Sequence, residues 1–177
     1  MRTSIRPDEV AGLGRLREEV YVCGLGVGHV LLAGELPIAL ELPDRTAAAP
    51  PGYCAAGGWV VALERYFGGE PVGFDLDVDA YAAVHGFTDF ERDVYRALAR
   101  VPYGEVVSYR DLATEAGRPN AYRAVGSAMA RNALPVILPC HRVIKNDGRL
   151  GFYGDDPAWK ERLLALEGVR VHEGRVA

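Results

Sequence analysis

Cysteine is scarce in this sequence. Three residues, Cys23, Cys54 and Cys140, are scattered over 177 positions with no paired-ligand spacing. An odd, scattered set excludes a disulfide framework and a zinc centre built on cysteine alone. Long apolar runs are missing too: no stretch approaches the roughly 18 residues that a membrane-spanning helix needs. Met1–Pro7 holds two arginines with no apolar stretch behind them. That is not a secretory signal, so a cytoplasmic location is expected. No internal repeat is present. Hydrophobic residues make up 49% and charged residues 25%. These are the proportions of a folded globular chain, and they exclude wholesale disorder and a collagen-like repeat. The length fits one domain or two small ones.

Positive charge is lacking in the first half. Residues 1–85 carry 6 basic and 12 acidic side chains, whereas residues 86–177 carry 14 basic and 12 acidic ones. Between 118 and 149 six basic residues (Arg118, Arg123, Arg131, Arg142, Lys145 and Arg149) meet a single acid, Asp147. The overall charge of −4 therefore hides a local patch able to attract phosphate. An unevenly charged solvated surface has the same composition.

The small-residue stretch Thr46–Gly58, rich in proline and glycine, reads as a loop. Before it, Val20–Leu42 holds apolar runs broken by Gly24, Gly26, Gly28, Gly34 and Pro37, which predicts short strands with tight connections. After it, Val60, Leu63 and Phe67 recur at helical spacing. Val72–Val78 alternates apolar and polar residues, as a half-buried strand or an extended arm does. Residues 1–85 thus read as a small α/β domain and 86–177 as a mainly helical one, an α+β chain overall. Thr88-Asp89-Phe90-Glu91 is a capping box, opening a helix with Phe90, Val94, Leu98 and Val101 on one face. Pro102-Tyr103-Gly104 turns the chain. Val106-Val107 is a short extended piece, and Ser108 caps a brief helix that ends at Gly117. A second helix, capped by Asn120, runs to about Arg131.

Two short helices joined by a tight turn fit a helix-turn-helix, and any packed helix pair fits as well. The second helix has an apolar stripe of Ala121, Ala124, Val125, Ala128 and Met129. Its opposite side presents Arg123, Ser127 and Ala130, flanked by Gly126 and Arg131. A small-sided face with arginines suits a helix lying in a DNA groove. It also suits one packed against another helix.

Pro135–Val143 holds the chemistry. An apolar run bounded by two prolines is followed at once by Cys140 and His141. A nucleophilic cysteine needs thiolate character from cations, a base or a helix N-terminus. His141, Arg142 and Lys145 stand close in sequence, so they are the expected source. Cys23 reads as core and Cys54 as loop.

The segment Pro139-Cys140-His141-Arg142-Val143 resembles the active-site signature of the O6-alkylguanine-DNA alkyltransferases, also called methylated-DNA–protein-cysteine methyltransferases. The similarity runs from about Phe87 to Gly168. It includes Pro102–Tyr109, Arg123–Met129, Asn132 and Leu163–Gly168. The resemblance implies a ribonuclease-H-like layout for the first domain and a winged helix-turn-helix-like second domain. It implies direct-reversal repair, in which Cys140 takes a methyl or alkyl group from guanine O6 in duplex DNA, once per molecule. No cofactor and no metal are implied, and the protein is expected to be a monomer with no membrane partner.

By the same resemblance, His141 acts as base through a water and Glu167 orients it. Tyr109 donates a hydrogen bond to the guanine ring, and Asn132 ties the second helix to the Cys140 segment. Tyr109, Arg123, Ser127, Ala130 and Arg131 meet DNA, with Arg123 filling the space of a base rotated out of the stack. Met129, Val143, Tyr153 and Gly154 form the pocket. Asn146-Asp147-Gly148 reads as a turn that brings Gly151–Gly154 back over the cysteine. Asp156 and Pro157 suit the N-cap and first position of the last helix, and Gly168 its end.

The sequence departs from the family's usual pattern in two places near this site. Asp155 and Asp156 put acids beside the pocket, which bears on substrate breadth and DNA affinity. Tyr122 precedes Arg123 where relatives usually have a small residue. Two rival functions differ in kind. An alkyltransferase-like damage sensor lacks the cysteine, and Cys140 is present. A Cys-His hydrolase needs a separate histidine in a supporting motif, and His29, His85 and His172 have none.

Overall fold

The computed structural model describes residues 12–154 and 156–177. Met1–Pro7 and Asp155, both singled out above, lie outside the described residues. The chain divides after Gly86 into two compact units.

The first unit is built on an antiparallel meander of β1 (Leu16–Cys23), β2 (Gly26–Ala33) and β3 (Leu36–Asp44). The glycine-punctuated runs form these strands because two-residue turns at 24–25 and 34–35 let each fold directly onto the last. Tyr21 stands opposite Gly28, where a Cβ would lie 2.1 Å from the tyrosine ring. The missing side chain lets the ring cross β2 and donate its hydroxyl to the Glu41 carbonyl at 2.8 Å. Helix α1 (Gly58–Phe67) packs on β1, burying Val60, Leu63, Tyr66 and Phe67. The run from Val72 is an extended arm with no strand pairing; its apolar residues are the more buried and Gly73, Asp75 and Asp77 are exposed. It ends in α2 (Val78–Val84), a helix the alternation concealed, capped by the Asp77 carboxylate accepting from Ala80 N at 2.9 Å.

The second unit opens with α3 (Asp89–Leu98), whose capping box is formed in full between Thr88 and Glu91. Strand β4 (Val107–Ser108) runs parallel to β5 (Val143–Ile144), and this short pairing ties the cysteine segment to the start of α4 (Tyr109–Glu115). Ser108 caps α4 through Asp111 N, and Gly117, at φ 74°, ends the turn that follows. Helix α5 (Tyr122–Ala130) begins later than expected: Asn120 is not its cap, because Arg118–Ala121 closes a turn of its own and Ala121 holds the cap position without a side-chain bond. The apolar stripe of α5 is also narrower than its sequence suggests. Val125 and Ala128 are buried, Ala121 and Met129 half-buried, and Ala124 exposed. The Tyr95 hydroxyl, from α3, donates to the Ala128 carbonyl at 2.7 Å.

Helix α6 spans Ala158–Leu166, one residue later than expected; Pro157 holds its cap position while the Asp156 side chain accepts from Ala158 N. Gly168, at φ 79°, stops it. A small hairpin of β6 (Val171–His172) and β7 (Arg175–Val176) follows, turning through Glu173 and Gly174, both at positive φ. It packs with Ile144, Leu150 and Leu164 in a satellite core.

Candidate active site

Cys140 opens a single 3-10 turn, Cys140–Arg142, directly before β5. The lead-in is held by one side chain. Asn132, just past α5, accepts from Leu134 N at 3.0 Å and donates to the Leu138 carbonyl at 2.8 Å. The same amide donates to Cys140 Sγ at 3.1 Å. Between these anchors Val136 sits buried at φ 76°, a conformation that a β-branched residue adopts only when its surroundings impose it. The apolar run before the cysteine is therefore a strained loop fastened at both ends.

The thiol is 7% exposed, and burial pushes it above the usual thiol range. Three neighbours oppose that: the Asn132 amide, the charge of Lys160 and the Tyr153 hydroxyl. Lys160 is the cation that sequence proximity missed. It lies on the buried side of α6 with Leu163 and Leu164, donates to the Val143 carbonyl, and holds its ammonium 5.9 Å from the Tyr109 ring centroid. Burial draws it down to about 8. Its position at i−3 and i−4 to two core leucines was the available sequence signal.

The expected cations lie elsewhere. Lys145 is exposed. Arg142 is buried and committed to Glu167, through Nε to Oε2 and Nη2 to Oε1, each at 2.9 Å, and to the Val101 carbonyl at 2.6 Å. This two-pronged geometry is the strong form of an arginine–carboxylate pair. Glu167 also accepts from Gly104 N at 3.1 Å and lies 2.7 Å, through Oε1, from His141 Nε2. Burial holds His141 below the usual histidine range, against the pull of Glu167. Burial thus disfavours the charged ring, and the neutral tautomer that can donate to Glu167 carries its proton on Nε2.

Tyr109 starts α4 half-buried; burial, then the nearby charge of Cys140, raises its phenol. A Cβ on Gly151 would lie 3.5 Å from the Tyr109 hydroxyl. The Asn146–Gly148 turn is present, closed by Gly148 N to the Lys145 carbonyl at 2.9 Å. Val143 is buried, Tyr153 half-buried and Gly154 exposed. Arg123, Ser127 and Ala130 share the exposed side of α5. Arg131 is engaged within the fold, paired with Glu91 and set 4.8 Å over the Phe87 ring. Cys54 is exposed, and Cys23 is half-buried at the end of β1 rather than in the core.

Comparison with known proteins fits this geometry. The family described as "6-O-methylguanine DNA methyltransferase, DNA binding domain" matches residues 89–169. The methylated-DNA–protein-cysteine methyltransferase of Mycobacterium tuberculosis is 40% identical over 154 residues, covering 82% of this chain and 89% of that protein. The chain belongs to the methylated-DNA–protein-cysteine methyltransferase family. A methyltransferase of the same name from Methanosarcina barkeri is 48% identical over 105 residues, which is 59% of this chain and 63% of that protein. The crystal structure of the Mycobacterium tuberculosis O6-methylguanine methyltransferase matches with a TM-score of 0.65 at 30% identity, over 90% of this chain and 96% of that one. That protein in complex with DNA matches at 0.64 and 33% identity, over 85% and 92%. Within this methyltransferase family member, the side chains around Cys140 come from four places in the chain: Tyr109 at the start of α4, Asn132 after α5, Tyr153 ahead of α6 and Lys160 on α6.

Proposed function

We propose that this chain repairs DNA by direct reversal, moving a methyl or larger alkyl group from guanine O6 in duplex DNA to Cys140. The observation that carries the reading is the setting of the thiol, buried yet flanked by an amide donor, a phenol and an ammonium, next in sequence to a buried imidazole held by Glu167. The thiolate sulfur attacks the alkyl carbon, a C–S bond forms, and the C–O bond breaks with its electron pair going to the guanine. His141 takes the thiol proton through a water at Nδ1, since Nε2 is turned to Glu167. Lys160 favours the thiolate by its charge. Tyr109 donates to the guanine ring as negative charge builds there, and Asn132 positions the sulfur.

Met129, Val143, Tyr153 and Gly154 line the base pocket. Tyr109, Arg123, Ser127, Ala130 and Arg131 meet the duplex, and Arg123 fills the place of the rotated base. In the same reading α4, α5 and the loop after β5 act as a winged helix-turn-helix, and the first unit is a reduced ribonuclease-H-like layout. The protein works as a monomer in the cytoplasm, with no cofactor. The thioether has no leaving route, so each molecule reacts once.

Incubation with duplex DNA carrying a labelled O6-methylguanine tests this. One label per protein, on the Cys140 peptide and on neither the Cys23 nor the Cys54 peptide, is the expected result. Tight binding without label would make the chain a damage sensor, and sustained turnover would overturn the mechanism.

A further inference from the structure

Helix α5 begins with a partly exposed aromatic residue. Tyr122 is 40% exposed, one of few large apolar side chains left in water among the described residues. The Arg123 guanidinium lies 5.8 Å from its ring centroid. One turn further on stands Gly126, where a Cβ would meet nothing within 4 Å, and Ala124 and Ser127 beside it are small and exposed. The ring therefore projects from the end of a helix face that is otherwise nearly smooth. Side chains on a helix lean toward its N-terminus, so the ring extends the face past the first turn rather than lying across it.

A partly exposed phenol ring with a guanidinium 5.8 Å from its centroid is suited to a flat partner. Nucleobases stack on arginine and on tyrosine alike. We propose that Tyr122 is a DNA-positioning residue that works with Arg123: it aligns the guanidinium before contact and stacks against the base next to the extruded nucleotide. This rests on the repair reading above. The tyrosine adds exposed aromatic surface at the start of α5, and so strengthens the hold on an opened duplex, where unstacking must be offset.

The test uses the full chain and three variants, Tyr122→Phe, Tyr122→Leu and Tyr122→Ala. Single-turnover rates are measured on duplex O6-methylguanine DNA and on free O6-benzylguanine. Tyr122→Ala should lose about tenfold on the duplex and nothing on the free base, in keeping with the worth of one stacked base. Tyr122→Phe should stay within about twofold of wild type and Tyr122→Leu should fall with the alanine variant, because stacking needs a π-face rather than apolar bulk. In an Arg123→Ala background the Tyr122→Ala loss should shrink, since residues acting as a unit are not additive. Equal losses on both substrates, a leucine variant as fast as wild type, or no loss on the duplex would each overturn the proposal. A wild-type chain that fails on both substrates would instead sink the repair reading itself.

Discussion

A cation buried beside a thiol does two opposing things. The ammonium of Lys160 lowers the energy of the Cys140 thiolate, yet its own burial costs stability. In the folded chain it is held down to about 8, against about 10.4 when unfolded. Between those values the unfolded chain binds more protons, so this lysine makes stability rise with pH across about 8 to 10.4. Below about 8 both states are protonated and the cost is constant. Lys160→Met should therefore hold or raise the melting temperature at pH 7 and flatten its rise above pH 8. The rate of alkyl transfer at pH 7 should drop, because the thiolate loses the ammonium charge that favours it. Melts and single-turnover rates on the same variant check both directions. At this scale the Cys140-His141 pair was legible because the residues are contiguous. Glu167 was legible through the resemblance of its helix end. Lys160 was not, because a lysine on a short helix ordinarily faces water, and Arg142 misled because adjacency in sequence says nothing about where a long side chain points.

Among the elements, the first turn of α3 has a double duty. Thr88 and Glu91 cap each other, and the Glu91 carboxylate also holds Arg131 at the end of α5. Thr88→Ala should cost about 1 kcal/mol, the worth of an N-cap. Glu91→Ala should cost more, because Arg131 loses its partner too. Chemical denaturation of the two variants checks the order. The capping box was readable since its residues are local and their pattern is specific. The starts of α5 and α6 each came one residue late, because a turn ahead of α5 and Pro157 ahead of α6 take up the position that cap propensity assigned to the helix. Helix α2 was hidden because its first residue, Val78, completes the alternation of the preceding arm. The β6–β7 hairpin was hidden because two-residue strands have no periodicity to read, and Glu173 takes a left-handed conformation that its residue type does not announce.

For the whole molecule, charge is divided between the two units, and the basic excess belongs to the one that holds Cys140. Association with DNA should therefore weaken steeply with salt despite the net charge of −4. Arg123→Ala should reduce the slope of log affinity against log salt by about one if it neutralises one phosphate. If it instead fills the base stack, affinity and duplex repair should fall with the slope unchanged. Fluorescence anisotropy at several salt concentrations separates the two. The charge division was plain from the sequence. Which arginines are committed was not, since Arg142 spends its charge on Glu167 within the fold while Arg131, half exposed, shares its charge with Glu91.

The burial of Lys160 has a practical consequence. The chain has only two lysines, and Lys145 is the exposed one, in the turn after β5. A lysine-specific endoprotease thus meets one bond in the native protein, after Lys145, and cannot reach the bond after Lys160 until α6 lifts away. Since Lys160 leaves its place only when the wall beside Cys140 opens, cleavage there is a clock for the opening of the site, with the Lys145 cut as its internal reference.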